Sequence, residues 1–229
     1  MPIFELHENS VNFPHPSYAN PDGLLAVGGD LSSKRLLEAY RVGIFPWFNP
    51  GEEILWWSPN PRFVLFPEEL KIARSMRPYF NQKKFLVTYD TRFLDVILNC
   101  KFGETRKEKG TWITTDIVDA YYQLHKDGFA HSVEVWQEDE LVGGLYGLSL
   151  GRMFFGESMF TRVSNASKFG FISIVQALRQ KGFDLIDCQM ETSHLASLGA
   201  RAIPRTDFLA RLAENEHFET QVGPWTDWL

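Results

Sequence analysis

The amino-acid sequence predicts an α+β protein in which helices pack on a mixed sheet. Three observations carry that expectation. Helix caps and stop glycines recur along the chain after residue 62, three strand-like runs follow one another between residues 130 and 161, and a long helix is then followed by another strand and helix.

Residues 1–62 are rich in Pro, Gly, Asn and aromatics, a composition that builds loops and turns around a few packed rings. Within them only SSKRLLEAYRVG reads as a helix, with Asp30 or Ser32 as N-cap and Gly43 as stop. The Pro-rich SPNPR marks a boundary, so a small N-terminal domain (1–62) and a larger one (63–229) are expected. After it, VLFP reads as a short strand, and PEELKIARSMRPYF as a helix opened by proline and acids. The strand KFLVTYD, the helix TRFLDVILNC and the polar loop KFGETRKEKG come next, then the helix TTDIVDAYYQLHKDG closed by Gly128. HSVEVWQEDELVGGLYGLSLGRMFFGESMF is expected as three antiparallel strands, turning near Glu138–Glu140 and Leu150–Arg152. A helix from about Asn165 to Lys181 shows Ala166, Phe169, Ile172, Val175 and Leu178 on one stripe, with Ser164 or Asn165 as cap and Gly182 past its end. The strand FDLIDCQM and the helix RTDFLARLAE complete the pattern.

The chain has 229 residues, 44% of them hydrophobic, enough for a substantial core. No apolar run reaches the roughly 20 residues of a membrane span, and the start has no signal-peptide pattern, so a soluble cytoplasmic protein is expected. Cys100 and Cys188 stand in no metal-like spacing and are expected as reduced, packed thiols. GxSxG, P-loop, GxGxxG, HExxH and paired CxxC signatures are absent, which removes serine-hydrolase and metal catalysis from the leading ideas. The net charge of −6 opposes wholesale nucleic-acid binding, yet Leu70–Tyr89 holds no acid while carrying Lys71, Arg74, Arg77, Lys83 and Lys84. That patch is either a solvated face or a phosphate contact.

Two polar intrusions interrupt apolar strands. In FDLIDCQM, alternation places Asp187 and Gln189 on one face, where they either satisfy internal polar groups or handle a proton. In FFGESMF, Glu157 follows Gly156, and the three side chains would share a pocket if the two strands were neighbours. Trp47, Trp56, Trp57, Trp112 and Phe154 lie in stretches punctuated by Gly or Pro, where rings form core or wall a pocket. His194, just after the Asp/Gln strand, reads as structural.

Taken together, PDGLLAVGGDLS, YRVGIFPWFNPGEEILWWSPNPR, GTWIT, AYYQLH, HSVEVW, LVGGLYG, FFGESMF, NASK, IDCQ and HLASLGAR resemble the leucyl/phenylalanyl-tRNA–protein transferase family, nearly end to end. The resemblance implies a C-terminal domain similar to GNAT-type acetyltransferases, and transfer of Leu or Phe from aminoacyl-tRNA to an N-terminal Lys or Arg, marking the acceptor for N-end rule degradation. It assigns Asp187 and Gln189 to a catalytic pair and Glu157 to holding the basic N-terminus. Trp47, Trp112, Leu145, Phe154 and Ile186 would line the donor pocket, with Tyr40 and Tyr121 also binding substrate. Leu145 stands where a relative can carry Met, a volume-conserving change that should keep Leu, Phe and Met as donors. The basic patch becomes a tRNA contact. No cofactor or metal is implied, and FTRVSNASKFG lacks the pyrophosphate loop of CoA users. A carboxamide is a very weak base, so Gln189 is expected to orient the amine. A monomer is expected. A thioester-using acyltransferase and a binding module without turnover stand as the alternatives.

Overall fold

The computed structural model describes residues 3–8, 10–103 and 111–228. A four-stranded sheet comes first: β1 (Phe4–Leu6), β2 (Leu24–Gly28), β3 (Phe45–Pro46) and β4 (Leu55–Trp57), in the order β1-β2-β4-β3. Where loops and turns were expected, short strands therefore pair across the Pro and Gly punctuation. Helix α1 (Ser33–Arg41) sits between β2 and β3, with the Ser32 hydroxyl accepting from the Arg35 N–H and Gly43 at φ +78° beyond its end.

The second sheet has seven strands: β5 (Arg62–Leu65), β6 (Leu86–Tyr89), β7 (Ala130–Gln137), β8 (Glu140–Leu150), β9 (Met153–Thr161), β10 (Leu185–Asp187) and β11 (Arg201–Ile203). Their order is β11-β5-β10-β9-β8-β7-β6. Only β9 and β10 run parallel; the other pairs are antiparallel, so the sheet is mixed as expected. The parallel pair needs a crossover, and α5 (Ala166–Gln180) supplies it.

Alternation along the strands divides the core between the two sheet faces. On one face Tyr146, Leu148, Phe155 and Leu185 meet α3 (Phe93–Phe102), α4 (Thr115–Lys126) and residues of the first sheet, including Leu25 and Trp56. On the other, Leu145, Phe154 and Ile186 meet the expected stripe of α5. Two short helices, α6 (Ser193–Ser197) and α7 (Arg205–Asn215), flank β11.

Two expectations are corrected. PEELKIARSMRPYF forms two 3-10 turns, Pro67–Glu69 and Arg74–Met76, and a short helix α2 (Arg77–Asn81) in place of one helix. The break lies at Leu70 and Ala73, whose ψ of 123° and 146° leave the helical region, and between them the Lys71 N–H donates to the Leu198 carbonyl, 2.9 Å away. Asn165 precedes α5 but does not cap it: its backbone is left-handed and its amide donates to the Tyr79 hydroxyl at 3.0 Å. Most of the loop KFGETRKEKG lies outside the described residues.

Candidate active site

The parallel pairing of β9 with β10 sets Ile186 opposite Phe154 and Asp187 opposite Phe155, making neighbours of the two strands that carry polar intrusions. Between β8 and β9 the register slips: Tyr146 faces Ser158 and Gly147 faces Gly156, so Glu157 is the extra residue of a bulge. Bulges re-aim a side chain out of the regular alternation. Gly147 permits this one, because a Cβ there would lie 2.2 Å from the Phe155 carbonyl.

A cavity of about 440 Å³ opens at this point. Phe45, Trp47, Trp112, Leu145, Phe154, Phe171, Ile186 and Leu195 supply apolar wall, while Glu157, Asp187 and Gln189 stand together among its polar groups. Trp47 is 41% exposed at the rim. Trp56 is core, and Trp57 donates its indole N–H to the Trp47 carbonyl.

The alternation that paired Asp187 with Gln189 does not hold. Strand β10 ends at Asp187, and Gln189 has φ +60°, so the chain turns instead of continuing as a strand. The two residues are joined differently: the Gln189 N–H donates to Asp187 Oδ1 at 2.9 Å. Asp187 is fully buried, and both its oxygens accept from Arg62, Nε to Oδ1 at 2.8 Å and Nη2 to Oδ2 at 2.6 Å. The guanidinium lies between the rings of Phe45 and Phe208 and donates a further bond to the Gly43 carbonyl. Such a bidentate, sandwiched cation holds the carboxylate in one orientation. Arg62 was missed as part of the site. Its signal was present: a charged residue opening the apolar run FVL requires a buried counter-charge, and Asp187 in LID is its reciprocal.

Among the described residues, no such cation meets Glu157. Tyr40 Oη donates to Oε1 at 2.6 Å, Tyr121 Oη donates to Oε2 at 3.1 Å, and the Gln189 amide donates to Oε1 at 2.8 Å. The two phenol oxygens are themselves 2.5 Å apart. Three oxygen-to-oxygen contacts require three protons, and the two phenols supply two. A proton on Glu157 closes the ring, with one phenol then accepting from the carboxyl and donating to the other phenol instead of to Glu157. Burial raises the Glu157 carboxyl from its ordinary 4.5 to about 7, outweighing the hydrogen bonds that pull it down and reinforced by the charge of Asp187. Burial and the Glu157 charge push both phenols well up, so they stay protonated. Tyr40 and Tyr121 are corrected in one respect: they are fully buried behind Glu157 and do not line the cavity.

Two further groups face the cavity. Burial, with the Asp187 charge, drives the Cys188 thiol far above its ordinary range, which leaves it no nucleophile. Burial lowers the pKa of His194, and the nearby Lys168 charge lowers it further. Lys71, Arg74, Arg77, Lys83 and Lys84 are all exposed and lie outside the cavity wall. Their segment reaches α5 through the Tyr79–Asn165 bond and the stacked rings of Phe80 and Phe169, 4.1 Å apart. Ser167 and Phe171 of the same helix line the cavity.

A large apolar chamber with carboxylates and an amide at its polar corner suits a transferase that seats an apolar group beside a positioned amine. A family model described as leucyl/phenylalanyl-tRNA protein transferase matches residues 64–213, and that of its N-terminal domain matches residues 29–60. The chain is 55% identical over 222 residues to the leucyl/phenylalanyl-tRNA–protein transferase of Pseudomonas fluorescens (strain Pf0-1), covering 95% of this chain and 98% of the relative. With the enzyme of the same description from Desulfatibacillum aliphaticivorans, identity is 53% over 99% of this chain and 97% of the other. The chain belongs to the leucyl/phenylalanyl-tRNA–protein transferase family. Among solved structures, an aminoglycoside acetyltransferase from an uncultured soil metagenomic sample is 15% identical, with 62% of this chain and 95% of the other covered at a TM-score of 0.39. That overlap is too small to carry an argument, and the α+β assignment rests on the sheet and helices themselves.

Proposed function

We propose that the chain moves Leu or Phe, and also Met, from aminoacyl-tRNA to the N-terminal Lys or Arg of a protein, by aminolysis in this cavity. The product would carry an N-end rule degradation signal. The observation that carries the reading is the Glu157–Gln189–Asp187 corner beside an apolar chamber in a member of this family. The donor side chain occupies the part walled by Leu145, Phe154 and Ile186, with Trp47 and Trp112 toward the rim. The amine attacks the ester carbonyl; the N–C bond forms, the bond to the ribose oxygen breaks, and the amine's proton ends on that oxygen. This reaction needs a neutral, placed amine more than an enzyme nucleophile.

Gln189 gives its NH2 to Glu157, leaving its carbonyl oxygen as the group that accepts from the amine. Asp187, with both oxygens engaged by Arg62, holds the Gln189 backbone and is not the base. Glu157 lies beside the acceptor's charges and can take up or release a proton near neutrality. The tRNA passes along the exposed basic patch, which leads through α5 to the cavity.

Leucyl-tRNA mixed with an Arg-starting peptide should give a Leu-Arg product. Product with acetyl-CoA and none with leucyl-tRNA would overturn the reading. Reversing Lys83 and Lys84 to Glu should weaken tRNA binding and flatten its salt dependence, by about 0.7–0.9 in log–log slope for each phosphate the protein no longer neutralises. An unaltered slope would move the tRNA path elsewhere.

A further inference from the structure

The C-terminal segment beyond the family-matched residues 64–213 forms a strap across the back of the donor chamber. Its Gly223 N–H donates to the Gly128 carbonyl, an approach so close that a Cβ on Gly128 would lie 2.5 Å from that nitrogen. Two residues on, the Trp225 N–H donates to Asp90 Oδ2 at 2.7 Å. The same carboxylate oxygen contacts His131 Nδ1 at 2.8 Å, and Oδ1 accepts the Ser132 N–H. The Trp225 ring, 2% exposed, is stacked between His131 at 3.6 Å and Trp228 at 3.8 Å. A surface ornament would not be built this way, with a backbone anchor and both ring faces covered.

What Trp225 touches next gives the strap a place in the enzyme. Its ring lies 5.9 Å from that of Phe154, centroid to centroid, and Phe154 presents to the chamber. Phe154 also closes over Gly147: a Cβ on Gly147 would come within 2.6 Å of Phe154 Cζ. Phe154 is therefore fixed by Gly147 and Trp225. Leu145 and Ile186, the other proposed donor walls, belong to the same buried cluster as Trp225.

We propose that Trp225 is a positioning residue that sets the depth of the donor chamber, and with it the preference between Leu and Phe, by holding Phe154 in place. It makes no contact with substrate. This inference rests on the reading of the chamber as the donor pocket. Shortening the indole leaves a gap behind Phe154, into which that ring can retreat. The chamber then deepens, which favours the longer Phe donor and loosens the fit of Leu.

The experiment is competition between leucyl-tRNA and phenylalanyl-tRNA for one Arg-starting peptide, read as the ratio of the two kcat/KM values. Trp225→Leu should raise the Phe-to-Leu ratio by about 10-fold, the size that a one-group change in an apolar pocket supports. Trp225→Phe, which keeps a ring in the stack, should move it in the same direction by less. The acceptor KM should be unchanged in both. Trp228→Ala removes only the outer ring of the stack; it should lower Tm and leave the ratio within about twofold, a change too small for a reshaped pocket. If the Trp225 variants lose Tm while both donors fall by one common factor, the strap only stabilises the protein and the proposal is wrong. Should Trp225→Leu fail to fold, Trp225→Phe decides. Leu145→Ala separates the two readings. A ratio moved by Leu145→Ala but not by Trp225 variants sinks the strap alone, whereas a ratio moved by neither sinks the donor pocket.

Discussion

Asp187 and Glu157 stand at one corner of one chamber, and their surroundings differ: among the described residues Asp187 has a buried cation and Glu157 has none. Arg62 engages both oxygens of Asp187 from between two aromatic rings. Among the described residues, Glu157 is met by two phenols and an amide. Neutral donors soften the cost of a buried charge without cancelling it, so the carboxyl titrates near 7. One carboxylate is fixed in place by its two bonds from Arg62, and suits holding the backbone of Gln189. The other can change its charge state and suits meeting a cationic substrate.

The contrast can be broken most severely at Arg62. Arg62→Ala leaves Asp187 buried and unpaired, and should cost about 3–5 kcal/mol in chemical denaturation. Asp187→Ala should lower turnover with little change in donor KM. Replacing both partners with apolar residues should recover most of the stability and none of the turnover, separating the ordering role from any contribution to folding. A loss below about 1 kcal/mol for Arg62→Ala would show that the pair does not fix the corner.

Glu157→Gln comes next. Without the charge-assisted hydrogen bond to the acceptor, kcat/KM for the acceptor should fall by about 10- to 100-fold while donor KM stays as it is. A carboxyl at about 7 in the folded chain, against an ordinary 4.5, holds more protons folded than unfolded between those values. Its contribution to stability is therefore full below 4.5, falls as pH rises and is gone above about 7. The variant should lack that slope, and an identical slope in both proteins would assign it to another group.

The smallest effect is expected from Tyr121→Phe, at about 1 kcal/mol of stability. Because the phenol pulls the Glu157 pKa down, its removal should carry the stability slope to higher pH. A shift to lower pH would mean that the Tyr121 phenol favours the protonated acid over the carboxylate.

Local chemistry made much of the architecture legible. Ser32 and Thr114 accept at helix starts, and Gly43, Gly128 and Gly182 take the left-handed backbone expected past helix ends. These are interactions within a few residues. The N-terminal sheet was not legible, because its strands of two to five residues are too short for a period to show. The polar corner was half legible: Asp187, Gln189 and Glu157 announce themselves as intrusions, but their geometry depends on a bulge, a left-handed residue and an arginine 125 positions away. Arg62 and Asp187 each show locally that a counter-charge is needed, but no local pattern records that the one answers the other.

That separation also orders events during synthesis. Arg62 leaves the ribosome long before Asp187, and the Trp225 strap follows later still. Until β10 arrives the guanidinium lacks its counter-charge, and Gln189 does not yet exist to be placed. The corner is therefore incompetent, and activity cannot begin, until residue 189 has been made.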